Sequence, residues 1–533
     1  MWLLAVNEST VDRLQLSPGL QTLLAASLIA YLVVLAILSL VASRQVETEE
    51  DYLVAGRKLS LFLCCGSIVA AWFGAAAMTA TSEAARESGL LGVILDPFAC
   101  SATLIYTGVM FAAPMWRMKL LTISDFYRRT YGAKAELMGA GIQVLAFFGW
   151  IALQYKALAG VQAVYFEIPL EWGVLIACGL TLAYTMVGGM WSVTVTDTLQ
   201  VMVAFTGLLV LAYTTYVQFG GGSVLAGADR LLTETDPALL TLIPPATAAA
   251  VLAYGSSWAT GVFGCVPGQD LQQRLYAART PQTAQRACIL AGMIYFGFTM
   301  IPVSLGLISR LVESEAEGDI VQVLASKYFT PGLAVVFVLS FTSVVLSTST
   351  SAVLAPATIL SHNILGRLPV FRGHALFRDR LCVLLIAMGG LALAFSRESK
   401  MELLDLVLSM QLVALYVPLH MGLYGRPRSE WSAILPMLVG MGCYLARWLP
   451  EKLLCPAPEA FSGEYADFAA SQFNSPAWQG IMRCILTVPD SIFGLVGSFL
   501  AYGVAQALFR RSAPINDQTL NDAWGDAWKK KPG

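Results

Sequence analysis

The sequence predicts an all-α polytopic membrane protein with about 13 transmembrane helices, and three observations support this fold class. Hydrophobic residues make up 57% of the 533 positions and charged residues only 13%, whereas a soluble domain has roughly 25% charged residues. The mean hydropathy is +0.66, and the apolar residues are gathered into long segments. Two of these segments contain glycine and proline in positions that predict helices broken within the membrane.

The transmembrane segments follow from their length, because a helix needs about 20 mostly apolar residues to cross the hydrocarbon of a bilayer. They leave no stretch long enough for a separate soluble domain. The segments lie at residues 20–43, 60–85, 89–116, 137–165, 170–188, 195–217, 246–266, 283–311, 331–361, 379–396, 402–424, 431–449 and 486–508.

The basic residues predict the orientation of the chain. The net charge is only −2, but most of the 33 Lys and Arg residues fall in loops on one side of the predicted spans. Cytoplasmic loops are enriched in Lys and Arg, so we expect an external N-terminus and a cytoplasmic C-terminus in the plasma (inner) membrane. Within this scheme Arg274 and Arg279 are interpreted as anchors that face the cytoplasm.

The sequence gives no support for several other classes of function. It contains neither a GxxxxGK[ST] phosphate-binding loop nor an HExxH zinc motif, and its three His residues are scattered. Most of the ten Cys residues lie inside apolar segments and are interpreted as buried thiols. Transport by this chain would therefore draw its energy from an ion gradient.

Two segments are predicted to be broken helices. The first reads LFLCCGSIVAAWFGAAAMTATSEAAR from residue 61 and contains Gly74, and the second reads TAAAVLAYGSSWATGVFGCVPGQDLQQR from residue 247 and contains Pro267 and Gly268. Five spans separate the start of one from the start of the other, so a five-helix unit repeated at this interval is inverted in the membrane. Close helix packing is the alternative explanation of such small residues.

A run of hydroxyl side chains lies within another apolar segment. Residues 341–351 read FTSVVLSTSTS, with five consecutive Ser and Thr residues at what should be bilayer depth. Hydroxyl and carbonyl oxygens are the ligands that small hard cations prefer. The alternative for any single Ser or Thr is a hydrogen bond back to its own helix.

Four motifs resemble the solute:sodium symporter family over about residues 47–430. They read DYLVAGRKLS from residue 51, LAYTMVGGMWSVTVTDTLQ from 182, PGQDLQQRLYAAR from 267 and LSTSTSAVLAPATILSHNIL from 346. The resemblance implies a LeuT-like core of five-plus-five helices in an inverted repeat, with one helix before it and two after it. The predicted domains are residues 1–46 with the first helix, 47–425 as the transport core, and 426–533 with two helices and a short cytoplasmic tail.

The resemblance implies a sodium site between the first and eighth core helices. In this family the site uses two backbone carbonyls of the first core helix, and one carbonyl and two hydroxyls of the eighth. Five oxygens without a carboxylate suit a weakly held monovalent ion better than a divalent one. The matching positions are Ala70, Phe73, Val344, Ser347 and Thr348.

A second sodium site, present in some members, is also implied by the resemblance. It uses an Asp of the fifth core helix, which falls on Asp197, with hydroxyls that fall on Ser347, Thr350 and Ser351. An ionisable side chain at bilayer depth is costly and requires a partner. The alternative is that Asp197 caps the start of its own helix.

Two tryptophans are candidate substrate-binding residues. Trp72 and Trp150 fall where choline-transporting members of the family have aromatic residues of the choline pocket. A cation–π contact with a quaternary ammonium contributes about 0.5 to 2 kcal/mol per ring. The position of a third pocket aromatic is Gly268 here, which weakens the choline interpretation.

Three polar side chains are further candidates. Lys156 lies within the apolar segment that contains Trp150; it is either a counter-charge for a substrate carboxylate or a structural lysine that pairs with backbone carbonyls. Gln154 and Gln269 could give amide hydrogen bonds to the substrate, and Gln269 could equally satisfy unwound backbone.

These observations together predict a sodium-coupled symporter, and no enzyme, that imports a small organic solute by alternating access. A carboxylate or zwitterion such as an amino acid is the first expectation for the solute, and choline or another quaternary amine is the second. A membrane sensor or transceptor with the same fold is an alternative of another class. The expected partners are Na⁺, the small-molecule substrate and the lipid bilayer, with no nucleic acid; the oligomeric state is left open.

Overall fold

The computed structural model describes residues 18–312, 320–328, 330–371, 373–396, 400–454, 488–509 and 522–523. These residues are almost entirely helical, and their only β-type contact is an isolated bridge between Leu59 and Ala278. The α-helices of the described part are α1 Pro18–Ser43, α2 Glu49–Val54, α3 Leu61–Trp72, α4 Thr81–Gly92, α5 Cys100–Met110, α6 Ala112–Arg117, α7 Ile123–Thr130, α8 Ala133–Phe166, α9 Leu170–Phe219, α10 Val224–Glu234, α11 Ala248–Gly264, α12 Gln269–Ala277, α13 Pro281–Val312, α14 Ile320–Tyr328, α15 Pro331–Ile359, α16 Ala375–Ala394, α17 Lys400–Gln411, α18 Val417–Tyr424, α19 Trp431–Leu454 and α20 Asp490–Leu508.

The described helices have the lengths that a multi-pass membrane protein requires. Eight of them, counting α11 with α12 and α17 with α18 as single spans, are long and apolar enough to cross a membrane. A ninth span is formed by α3 and the helix that follows it, which are bent by 63°. Other predicted spans are shorter or more charged here: residues 94–110 form a shorter apolar helix, and α16 has Arg378, Asp379 and Arg380 near its start. The count of about 13 spans stays a prediction.

The first predicted broken helix is interrupted immediately after Trp72. Phe73 has φ −75° and ψ 81°, which is outside the helical range, and a π-helical segment Ala76–Ala80 leads into α4. The amide of Gly74 donates to the carbonyl oxygen of Trp72 at 2.9 Å. An unbroken helix would direct this amide to the carbonyl of Ala70, so the break releases the Ala70 oxygen from the helical hydrogen-bond ladder.

The second predicted broken helix is interrupted between α11 and α12. Residues 265–268 connect the two helices, and they include Pro267, which has no amide hydrogen to continue the ladder. Gly264 lies so close to α17 that a Cβ atom there would come within 2.4 Å of the Leu408 carbonyl oxygen. Every residue of α12 is buried, so this half of the broken helix lies inside the molecule.

Helix α9 joins two of the predicted spans, 170–188 and 195–217, through a kink. Gly189 has φ 56° and ψ −158°, a conformation that only glycine adopts readily. A Cβ atom at Gly189 would lie 2.5 Å from Cδ2 of Tyr52. The kink therefore depends on a glycine at this position, and the second part of α9 runs on as a straight span to Phe219.

Long unbroken helices hold the two broken helices in place. Helix α15 packs along α8 and α9 and crosses α3, while α13 packs against α3, α4 and α5. Helices α19 and α20, the two helices predicted after the core, pack mainly against each other. The hydroxyl run of α15 is thereby brought against the break after α3.

Candidate functional site

Five oxygen atoms meet where α15 crosses the break after α3. The Thr348 hydroxyl oxygen lies 3.1 Å from the carbonyl oxygens of both Ala70 and Val344, and 3.4 Å from that of Phe73. The Ser347 hydroxyl oxygen lies 3.2 Å from the carbonyl oxygen of Ala70 and 2.9 Å from that of Val344. All five side chains are buried. The structure thus brings together the five residues that the sequence predicts as the first sodium site.

A glycine allows this close approach of the two helices. A Cβ atom at Gly74 would lie 2.7 Å from the hydroxyl oxygen of Thr348 and 2.8 Å from its methyl carbon. Any side chain at this position would push α15 away from the break. Gly74 therefore sets the distance between the carbonyls of α3 and the hydroxyls of α15.

The remaining hydroxyls of the run face in different directions. Ser349 donates to the Val345 carbonyl at 2.6 Å, and Thr350 donates to the Ser347 carbonyl at 2.9 Å, so both bond back to their own helix. The Ser351 hydroxyl lies 3.5 Å from the carboxylate of Asp197. Ser347 and Thr348 also lie within hydrogen-bond distance of the Val344 carbonyl in their own helix, but unlike Ser349 and Thr350 they reach the Ala70 carbonyl of α3 as well, and Ser351 reaches Asp197 of α9.

Asp197 is the centre of a second buried cluster. Its Oδ2 atom accepts hydrogen bonds from Ser67 at 3.1 Å and from the guanidinium of Arg274 at 3.0 Å. It lies eight residues beyond the kink at Gly189, inside α9, so it does not cap a helix start. Of the four residues predicted for the second sodium site, Asp197 and Ser351 lie together here.

Arg274 was not expected in this cluster. The prediction that it faces the cytoplasm is wrong, since its side chain is only 2% exposed. Its guanidinium contacts Asp197 and also bonds the hydroxyl of Ser351, the backbone and hydroxyl of Ser67, and the carbonyl of Asp270. A buried arginine requires such partners, and these contacts join α12 to α3, α9 and α15.

A cavity lies beside the two breaks. Trp72, Trp150 and Gly268, three of the predicted substrate-binding residues, are among the residues that line it. Phe147 and Tyr295 add two more aromatic rings, and the ring of Tyr295 lies edge-on to that of Trp72 with centroids 6.4 Å apart. Four of the thirteen residues that line the cavity are therefore aromatic.

The other predicted substrate-binding residues do not line this cavity. Gln154 is buried and its Oε1 accepts from the Ala75 amide at 3.2 Å, beside the first break. Gln269 accepts from the amide of Ile123 at the start of α7, at 2.8 Å, which agrees with the alternative of satisfying backbone. Lys156 donates to the carbonyl of Ser396 at 2.8 Å, as in the structural alternative.

Three polar residues of the cavity were missed from the sequence. Asp96 accepts from the hydroxyl of Tyr295, which lies 2.9 and 3.0 Å from its two carboxylate oxygens. Asp270 follows the second break directly, and Gln411 ends α17. The available signal was an Asp inside each of two apolar segments, since ionisable residues at bilayer depth mark functional sites.

The family-level comparison agrees with the fold. Residues 52–440 match the model of the sodium:solute symporter family, and this range contains both broken helices, the hydroxyl run and the cavity. The chain belongs to the sodium:solute symporter family. Its family consists of transporters and not of enzymes.

Relatives of this chain are named for different solutes. The high-affinity choline transporter 1 of Drosophila melanogaster is 26% identical over 334 residues, which are 60% of this chain and 52% of that protein. The sodium/pantothenate symporter of Escherichia coli K12 is 26% identical over 432 residues, 78% of this chain and 88% of that protein. The chain thus spans only about half the length of the fly choline transporter.

Solved structures confirm the predicted LeuT-like fold class. A sodium-coupled sialic acid symporter in a substrate-bound, outward-open state has a TM-score of 0.67 at 15% identity, with 90% of this chain and 98% of that chain covered. Mhp1, a nucleobase-cation-symport-1 family transporter, has a TM-score of 0.53 at 12% identity, with 89% and 99% covered. At these identities the likeness is one of fold alone.

Proposed function

We propose that the protein is a sodium-coupled symporter that imports a small organic solute by alternating access. The observation that supports this most strongly is the meeting of five oxygens from Ala70, Phe73, Val344, Ser347 and Thr348. The set contains no carboxylate and joins a broken helix to its neighbour. A sodium ion bound there would stabilise one relative position of the two helices, which is how ion binding couples to a conformational change.

A second sodium ion at Asp197 is a further part of the proposal. The clustering of Asp197 with Ser351 supports it, whereas Arg274 already contacts both groups. Sodium and the guanidinium would therefore compete for the same oxygens. We propose that the second ion binds only in a conformation in which Arg274 has withdrawn from Ser351.

Lys156 and the aromatic residues give unequal support to the two expected classes of solute. Lys156 bonds a backbone carbonyl and is not among the residues that line the cavity, so it gives little support to a solute held by its carboxylate alone. The aromatic lining supports a cationic group, by cation–π attraction. A zwitterion or a quaternary amine would each present such a group.

We propose the predicted orientation and domain limits as well. The basic loops support an external N-terminus and a cytoplasmic C-terminus in the plasma membrane. The core would extend over residues 47–425, with α19 and α20 added by residues 426–533. Residues 1–17 and nearly all of the predicted tail lie outside the described residues.

The proposal is tested by sodium-dependent thermal stability of the purified protein. Ligands that bind the folded state alone stabilise it by about 2.7 kcal/mol at 100 times their dissociation constant. We expect NaCl to raise the melting temperature in a saturable way when KCl keeps the ionic strength constant. Ser347→Ala and Thr348→Ala should each raise the half-saturating sodium concentration by about 10-fold, since each removes one of five ligands.

Ser349→Ala is the matched control, because its hydroxyl is buried in the same helix turn but bonds only to Val345 within α15. It should leave the half-saturating sodium concentration unchanged. Equal stabilisation by NaCl and KCl, or the same sodium dependence in all three variants, would rule out the proposed site.

A further inference from the structure

The cavity beside the breaks contains two carboxylates among its aromatic rings. Asp96 and Asp270 are only 2% and 8% exposed, and both line the same space as Trp72 and Trp150. Burying a carboxylate away from water costs several kcal/mol unless a cation or hydrogen-bond donors compensate it. The partners of these two groups therefore indicate what the cavity is built to hold.

The protein supplies too little positive charge for these carboxylates. Among the described residues at this depth, Asp96, Asp197 and Asp270 are buried and Arg274 is the only buried cation. The guanidinium of Arg274 is paired with Asp197, and it contacts Asp270 through the backbone carbonyl. Within the described part of the chain, neither Asp96 nor Asp270 forms an ion pair.

The cavity contains several hydrogen-bond acceptors, the carboxylates of Asp96 and Asp270 and the amide oxygen of Gln411, beside an unpaired donor, the indole N–H of Trp72. The hydroxyl of Tyr295 lies within hydrogen-bond distance of both oxygens of Asp96 and that of Thr81 is a second partner, whereas a carboxylate can accept about four hydrogen bonds. The Oε1 atom of Gln411, a side chain only 3% exposed, has no hydrogen-bond partner. It lies beside Asp270, since both would be near neighbours of a Cβ atom at Gly268. A ligand with N–H or O–H donors would satisfy these acceptors.

A cation with N–H groups would supply both the positive charge and the hydrogen-bond donors. A quaternary ammonium supplies charge but no donor, and a carboxylate supplies neither and is repelled by two like charges. The aromatic faces of the cavity would attract either kind of cation. Only N–H donors on the cation satisfy the acceptors as well, through charge-assisted hydrogen bonds.

We propose that the cavity recognises its solute through a protonated amine or guanidinium group. This group donates N–H bonds to Asp96 and Asp270 and lies among the aromatic side chains that include Trp72 and Trp150. This inference rests on the proposed function and names the substrate class of that transporter. A carboxylate elsewhere on the solute is compatible with it. Trimethylated amines are weaker ligands because they cannot donate to either Asp.

The test is a series of ligands on one skeleton, measured by thermal stabilisation of the full-length protein in saturating sodium. Ethanolamine, N,N-dimethylethanolamine and choline have three, one and no N–H bonds on the charged nitrogen, with 1,4-diaminobutane and pantothenate as further probes. We expect the half-saturating concentration of ethanolamine to be at least about 10-fold below that of choline. N,N-dimethylethanolamine should fall between them, and pantothenate should not stabilise the protein.

Variants of the two acids give an independent measurement. Asp96→Asn and Asp270→Asn should each weaken stabilisation by ethanolamine about 10-fold or more, while sodium alone still stabilises the variants. Asp229→Asn, a change of the same type at an exposed position of α10, should have no effect. If a variant does not fold, the ligand series measured on the wild-type protein still tests the amine inference.

The outcomes separate the two proposals. Choline binding as tightly as ethanolamine, or stabilisation by pantothenate and not by the amines, would overturn the amine inference while leaving sodium coupling intact. Loss of sodium stabilisation in Asp96→Asn or Asp270→Asn, with amine binding unchanged, would also overturn it by assigning the acids to sodium. An absence of sodium stabilisation in the wild-type protein would instead contradict the proposed function.

Discussion

At the scale of single residues, the buried charges are the groups that most need partners, because an unpaired charge in the interior is costly. Asp197 and Arg274 form an ion pair at 3.0 Å with side chains 0% and 2% exposed. Removing one member of a buried pair costs about 3 to 5 kcal/mol, because it leaves the other charge without compensation. The pair therefore contributes to holding α12 against α9 and α15.

A double-variant cycle tests this pair. Asp197→Asn and Arg274→Gln should each lower the melting temperature markedly, whereas the double variant should be less destabilised than the sum of the two, since no charge is left unpaired. Thermal unfolding of the four proteins provides the measurement. Additive effects would show that the two side chains do not interact.

Asp197→Asn also tests the proposed second sodium site, through the sodium dependence of transport. The Hill coefficient for sodium should fall towards one in this variant if the carboxylate is a ligand. A coefficient that stays above one would exclude Asp197 from that role, and Arg274→Gln serves as the control for loss of the pair alone.

At the scale of elements, the break after α3 exposes backbone carbonyls of an apolar helix to the hydroxyls of α15, and these groups form the proposed sodium site. Its carbonyls are available because the Gly74 amide bonds Trp72 instead of Ala70, and α15 brings its hydroxyls to them because Gly74 has no side chain. The geometry of the site therefore depends on the closeness of two helices as much as on the ligands themselves.

Gly74→Ala tests the closeness of these helices. The added methyl would lie 2.7 Å from the Thr348 hydroxyl, and overpacking of this kind costs about 1 to 3 kcal/mol. We expect the half-saturating sodium concentration to rise about 10-fold. Gly255→Ala is the matched control, because a Cβ atom there meets no atom within 4 Å. An unchanged sodium dependence in Gly74→Ala would mean that the ion binds elsewhere.

At the scale of the whole molecule, periodicity and composition predicted more of the fold than of the substrate site. Long apolar segments and the glycines and proline of the broken helices are local signals, so the all-α class and both breaks could be read from the chain. The hydroxyl run of residues 341–351 is also a local signal. The resemblance to the solute:sodium symporter family predicted which carbonyls of α3 it meets. The count of spans was harder, since two predicted spans follow one another with only Gly189 outside the helical conformation between them.

The substrate cavity could not be predicted from local signals. Asp96, Asp270 and Gln411 belong to three separate segments, and only packing of the helices brings them around one space. Lys156 was the more conspicuous charge in the sequence, but its length allows the ammonium to reach the Ser396 carbonyl. Arg274 was assigned to a loop because it follows an apolar segment, although its helix folds back into the core.

The energetics of the whole molecule follow from moving charge across the membrane. Each net charge that moves inward gains about 2.3 kcal/mol per 100 mV of membrane potential. A symporter that carries sodium with a cationic solute would thus be strongly driven by the potential. A sensor with the same fold would bind both ligands without moving charge.

The most direct test of sodium coupling is the current evoked by a solute in proteoliposomes on a solid-supported membrane. Ethanolamine, choline and pantothenate are each applied in sodium and then in potassium. We predict a current in sodium for the solute that is transported, no current in potassium, and a strongly reduced current in Thr348→Ala at limiting sodium. A solute-evoked current of the same size in sodium and potassium would contradict sodium-coupled symport.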